Sequence, residues 1–234
     1  MSIIAENLQA VEATIGAACA ASGRPRNAVT LLAVSKTFPA QAVLEAMAAG
    51  QRAFGENYLQ EALDKMQEVA RLQPDTPISW HFIGPIQSNK TRPIAAHFDW
   101  VHTVERLKIA QRLSEQRPAE RGPLDICLQV NISGEASKSG ASAAELPELA
   151  RQVAVLPNLR LRGLMAIPEA SSDPARQRAA FARLRGLFDG LRADGLALDT
   201  LSMGMSGDLG AAIAEGATIV RIGSAIFGAR HYEQ

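Results

Sequence analysis

The strongest constraint on this chain is an alternation. Eight short apolar segments, at 29–35, 52–56, 79–84, 100–104, 125–132, 160–167, 199–204 and 218–223, are separated by longer stretches that read as helices. Strands joined by helix-length crossovers run parallel, since a parallel pair cannot be closed by a tight turn. Eight such units is the number that closes a (β/α)8 barrel, and 234 residues is near the usual size of one. The competing doubly wound sheet would carry G-x-G-x-x-G after its first strand, and none stands there. The helices are expected at 39–50, 57–72, near 87–97, 105–116, 142–156, 173–195 and 207–216. Several end on a glycine, such as Gly50, Gly195 and Gly216, which tolerates the left-handed cap. Ahead of them, "MSIIAENLQAVEATIGAACAASG" reads as one more amphipathic helix ending near Gly23. Glu6 and Glu12 interrupt its apolar pattern and no basic start precedes it, so it is not a signal peptide. The expected architecture is α/β: a single TIM-type barrel domain over residues 1–234 with an added N-terminal helix.

Composition narrows the function classes. Lys plus Arg is 24 and Asp plus Glu is 24, so there is no basic excess for nucleic acid or an anionic membrane surface. No apolar run approaches the ~20 residues that span a bilayer. The two cysteines, Cys19 and Cys127, lie far apart without metal-ligand spacing and read as reduced packing thiols. A cytoplasmic protein is expected.

In a barrel of this kind the C-terminal ends of the strands form the active face. Polar residues gather there: Lys36, Glu56, Asn57, His81, Asn131, Ser202 to Ser206, Arg221 and Ser224. Strand alternation puts Lys36 on the same face as Leu32 and Val34. Desolvation would lower its pKa and make it a Schiff-base nucleophile; alternatively it reaches solvent or pairs with Glu56. "LSMGMSGD" and "VRIGSAIFG" place Ser202, Gly204, Ser206 and Gly207 after the seventh strand, and Gly223 and Ser224 after the eighth. Barrel loops at these two places often hold phosphate through backbone N–H groups. The competing readings are plain turn glycines and, for Ser206, a helix N-cap. Arg221, inside the eighth strand, needs an acidic partner such as Glu56 or Asp208, or a ring to face. A Schiff-base lysine, a phosphate cradle and an arginine at a ring nitrogen together make a pyridoxal phosphate site.

Six motifs in order, "LLAVSKTFP", "FGENYLQEALDK", "WHFIGPIQSNK", "LRGLMAIP", "LSMGMSGD" and "VRIGSAIFGAR", carry a resemblance running from about residue 5 to residue 232. The chain resembles the pyridoxal phosphate homeostasis proteins of the YggS/PROSC type, which are related to the N-terminal barrel of alanine racemase. Phe38, where a polar residue is common, and Gly207, in a variable position, are its departures. The resemblance implies a fold-type III pyridoxal phosphate barrel with the cofactor held as an imine on Lys36. Arg221 would face the pyridine nitrogen. Ser202, Gly223 and Ser224 would bind the phosphate with Ser206 close by, and Asn57 and Met203 would line the ring. His81 reads equally as a hydrogen-bonded core histidine, and Lys138 as a solvated lysine or a second aldehyde site.

The resemblance also implies storage, shielding or delivery of the cofactor, with pyridoxal phosphate-dependent apoenzymes as candidate partners. A small racemase is the alternative. A permanently charged arginine disfavours protonation of the pyridine nitrogen and weakens the electron sink. Racemisation can still proceed with an arginine partner, but two-sided proton transfer then needs a second acid or base beside the lysine. In alanine racemase that group comes from a further domain; here the expected barrel fills the sequence, leaving Tyr58 and Tyr232. The missing domain also points to a monomer. A cofactor-free Schiff-base aldolase is a third reading, and the "SNK" stretch at Ser88 to Lys90 reads as a helix start or a partner contact.

Overall fold

Each apolar segment becomes a strand because it offers one buried face to the barrel interior and the other to a helix. The computed structural model describes residues 2–133 and 139–229. Its strands are β1 (Thr30–Val34), β2 (Ala53–Glu56), β3 (Ser79–Phe82), β4 (Trp100–Val104), β5 (Leu124–Gln129), β6 (Leu159–Met165), β7 (Thr200–Ser202) and β8 (Ile219–Ile222). They form one closed parallel barrel in sequence order, sealed by β1 against β8 with Leu32 opposite Arg221. The helices described are α1 (Ile3–Ala21), α2 (Ala40–Ala48), α3 (Leu59–Leu72), α4 (Thr91–His97), α5 (Leu107–Gln116), α6 (Leu146–Ala154), α7 (Pro174–Ala193), α8 (Leu209–Ala214) and α9 (Ser224–Phe227).

The added N-terminal helix is as expected. Ser2 caps α1 by accepting from the Ala5 N–H, and Ile4, Leu8, Val11, Ile15 and Cys19 bury one stripe. That stripe packs against α2, α8 and α9. Both cysteines are buried free thiols.

Differences from the expected elements are local. The helix expected from 142 starts at Leu146, because the Ser142 N–H and hydroxyl are drawn into a turn by the Glu145 carboxylate. The region near 87–97 splits into a single turn, Ser88–Lys90, followed by α4. The four-residue α9 was not expected; its Ile226 and Phe227 are buried.

The main apolar core lies between strands and helices and includes Leu31, Ala33, Phe54, Phe82, Val101, Leu201 and Val220. The interior apolar cluster has only Leu32, Val34, Ile83 and Ile219, flanked by Ala53 and Trp100. Much of the remaining interior is polar, where barrels of this kind usually stack branched aliphatic layers.

Candidate active-face site

Lys36 follows β1 in a turn, half-buried, with the interior parity of Leu32 and Val34. Both of its neighbours are tied down from the outer side of the barrel. The Ser35 hydroxyl donates to Glu56 Oε1 at 2.6 Å, and Lys65 Nζ, from α3, donates to the Ser35 carbonyl at 2.8 Å. The Thr37 N–H donates to Glu61 Oε1 at 2.6 Å. Lys65 joins these anchors, bonding Glu56 at 2.6 Å and Glu61 at 3.0 Å. Thr37 takes φ of 68°, a left-handed conformation costly for a β-branched residue. Glu56, which the sequence offered as a partner for Lys36 or Arg221, thus faces α3 and is held by Lys65 and Ser35. Burial raises its pKa, opposed by Lys65 and then Ser35.

Sequence reasoning missed Lys65. Its signal was its place on the buried stripe of α3, with Ala62 and Val69.

A second network runs through the interior. Arg221 Nη1 donates to Ser202 Oγ at 2.9 Å, and Nη2 donates to the Ala166 carbonyl at 3.1 Å. Ser202 Oγ lies 2.7 Å from His102 Nδ1. His102 Nε2 is 2.8 Å from His81 Nδ1, and His81 Nε2 is 3.0 Å from Ser79 Oγ. His81 also stacks on Trp100, with Arg162 over the same indole. Burial drives His81 down to about 3. His102 is lowered by burial first and then by the charges of His81 and Arg221. Burial lowers Arg221 to about 10, so it stays cationic at neutral pH. His81 is therefore the bonded core histidine of the two readings. His102, another residue the sequence reading missed, shows only as the middle of the alternating segment "WVHTV".

The remaining expected residues divide. Asn57 follows β2 with interior parity, and its Oδ1 is buried without a hydrogen bond among the described residues. Gly84 makes room for it: a Cβ there would lie 2.2 Å from the Asn57 carbonyl oxygen. Gly223 follows β8 beside β1, where a Cβ would come within 3.3 Å of the Val34 carbonyl oxygen. Ser206 and Ser224 are exposed, after β7 and at the start of α9. Ser206 does not cap α8; Asp208 holds that position.

Met203 is fully buried in the main apolar core. Ser202 is also fully buried, its hydroxyl engaged by Arg221 and His102. It supports the arginine from within the barrel. Tyr58 is exposed at the start of α3; Lys138 and Tyr232 lie outside the described residues. Among the described residues there is no group of side chains able to hold a metal, and no helix long and apolar enough to cross a membrane.

This closed parallel eight-strand barrel falls in the class described by the alanine racemase N-terminal domain family model, which matches residues 6–231. Within this class the chain belongs to the pyridoxal phosphate homeostasis protein family. It is 67% identical over 232 residues to the Pseudomonas aeruginosa pyridoxal phosphate homeostasis protein, covering 99% of this chain and 98% of that protein. It is 56% identical over 234 residues to the Escherichia coli K12 protein of the same name, covering 100% of each. Among solved structures, PipY of Synechococcus elongatus PCC7942 with PLP bound superposes with a TM-score of 0.83 at 39% identity, covering 96% of this chain and 100% of PipY. Alanine racemase from Corynebacterium glutamicum shares the fold, with a TM-score of 0.72 at 18% identity, covering 97% of this chain and 61% of the racemase.

Proposed function

We propose that this protein binds pyridoxal 5′-phosphate as a Schiff base on Lys36 and holds it for homeostasis, by storage, shielding and delivery, without a full catalytic cycle. Delivery would be to pyridoxal phosphate-dependent apoenzymes, by a cytoplasmic monomer of one domain. The observation that carries the reading is Arg221. It is a buried guanidinium with no carboxylate partner among the described residues, on the strand that pairs with the one leading into Lys36. Such a cation is costly unless an acceptor meets it. A pyridine nitrogen is an acceptor of the right kind, and it gains nothing from a carboxylate in that place.

The other residues fit the same group. The unsatisfied Asn57 Oδ1 supplies a polar atom beside the ring position. Backbone at Gly223, with Ser224 and Ser206, supplies N–H and hydroxyl donors for the phosphate on the exposed side. Ser202 serves the ring end through Arg221. The cofactor supplies the reactive aldehyde; Lys36 supplies the amine, held in register by the bonds to Ser35 and Thr37.

The carrier reading is preferred to a racemase because two-sided proton transfer needs a second acid or base beside Lys36, and the candidate Tyr58 is exposed at the start of α3. The test is to add pyridoxal phosphate, reduce with borohydride and measure intact mass, wild type beside Lys36→Ala. One lysine-dependent adduct is expected; an equal adduct in Lys36→Ala overturns the assignment. Exchange of the α-hydrogen of amino acids in deuterated water, above that given by free cofactor, would instead show an enzyme.

A further inference from the structure

Resting on that reading, we infer that His102 is a positioning residue. It acts through Ser202 on Arg221, and the whole interior chain from Arg221 to Ser79 has a single hydrogen-bond direction imposed by the arginine.

The argument begins from what a guanidinium can do. It has five N–H donors and no acceptor, so in the bond to Ser202 the serine oxygen must accept. The Ser202 hydroxyl has one proton and is fully buried, and its only hydrogen-bond partners among the described residues are Arg221 and His102. If His102 Nδ1 donated to it, the serine would accept twice and its own proton would be stranded, at the cost of an unsatisfied buried donor. The hydroxyl therefore donates to His102 Nδ1. His102 must then carry its proton on Nε2 and give it to His81 Nδ1 at 2.8 Å. His81 in turn carries its proton on Nε2 and gives it to Ser79 Oγ at 3.0 Å. Every member is satisfied once, and both imidazoles are neutral. Reversing any one bond leaves a buried donor or acceptor without a partner.

This arrangement acts on the cofactor end of the site. Both bonded η nitrogens of Arg221 are fixed by neutral acceptors, Ser202 Oγ and the Ala166 carbonyl. Neither acceptor neutralises its charge, as a carboxylate would. The guanidinium is held in place with its charge intact for the ring nitrogen. His102 is the group that keeps Ser202 turned to accept. At the far end, His81 stacks on Trp100, and Arg162 lies over the same indole.

Two measurements test this. The first uses the cofactor-free protein labelled with ¹⁵N-histidine. Long-range ¹H–¹⁵N correlations at neutral pH should show His81 and His102 both neutral, protonated on Nε2. An Nδ1–H tautomer or an imidazolium at either position overturns the inferred direction, whatever the protein binds. The second measures pyridoxal phosphate titration and the visible absorption maximum of the loaded protein, wild type beside three variants. Ser202→Ala and His102→Leu cut the chain and should weaken apparent affinity about tenfold and shift the maximum. His102→Asn keeps an acceptor where Nδ1 stood, so it should restore both. If wild type loads and all three variants match it, the positioning role is wrong while the cofactor assignment stands. If wild type fails to load, the cofactor assignment itself is wrong. Tm values for the three variants separate a lost fold from a lost position, and His102→Asn equal to His102→Leu in affinity and absorption also overturns the role.

Discussion

The two buried polar networks of this barrel treat charge in opposite ways. Outside β1 and β2, the Lys65 ammonium and the Glu56 carboxylate, 3% and 0% exposed, neutralise each other at 2.6 Å. Inside, Arg221 is equally shielded from water but meets only a hydroxyl and a carbonyl. The paired network uses up its electrostatics in place, and what it delivers is geometry: Ser35 and Thr37 are fixed and Lys36 between them with it. The unpaired network leaves a cation unspent, which is what a ligand-facing group requires. A buried ion pair suits a scaffold; a buried donor among neutral acceptors suits a site.

The largest test of this contrast removes one partner of the pair. Lys65→Met leaves the Glu56 carboxylate buried and uncompensated, and should cost about 3–5 kcal/mol in urea unfolding. The double variant Glu56→Gln, Lys65→Met should recover much of that loss, because no stranded charge remains. Additive losses would show that the ion pair is not what holds this corner.

A smaller effect separates the interior network by pH. Unfolded histidines take up protons near about 6.5, whereas folded His81 resists until about 3. Its contribution is therefore full above the unfolded value and is lost as pH falls toward 3, reaching about 2 kcal/mol of destabilisation at pH 5 for one such histidine. Melts at pH 7 and pH 5 should show Tm falling by about 4–8 °C more in wild type than in His81→Asn. Glu56, with its raised pKa, works in the opposite direction and is common to both proteins. Equal declines would remove His81 as the source.

The smallest effect concerns Thr37. Thr37→Gly relieves a left-handed backbone at a cost, in the present residue, of about 1 kcal/mol, offset by the greater freedom of glycine when unfolded. Stability should change by less than about 1 kcal/mol. Borohydride trapping on Lys36 should nonetheless slow, because the turn loses one of its constraints. Unchanged trapping would mean that the Ser35 and Glu61 bonds suffice.

The barrel itself was legible because period-two alternation and helix-length crossovers leave one closed solution for eight parallel strands. Lys36 and Arg221 were legible as polar residues with interior parity on strands one and eight. Less legible was what depends on where a short strand stops. Met203 lies one residue beyond β7 and is buried in the main apolar core. Ser202 read as part of a phosphate loop, and nothing local showed that its hydroxyl bonds groups from β4 and β8. Lys65 and His102 carried only weak local marks, a lysine on the buried stripe of a helix and a histidine in an alternating strand. Their roles depend on partners that include residues 30 and 100 positions away in the chain.

Trp100 has a consequence of its own. The sequence has two tryptophans, and this one lies flat against His81, rings 5.4 Å apart, with the Arg162 guanidinium 4.7 Å over its indole. An excited indole is quenched by an adjacent imidazolium far more than by neutral imidazole. The protein therefore carries a native optical reporter of the protonation state of its own interior, readable by emission without label or cofactor.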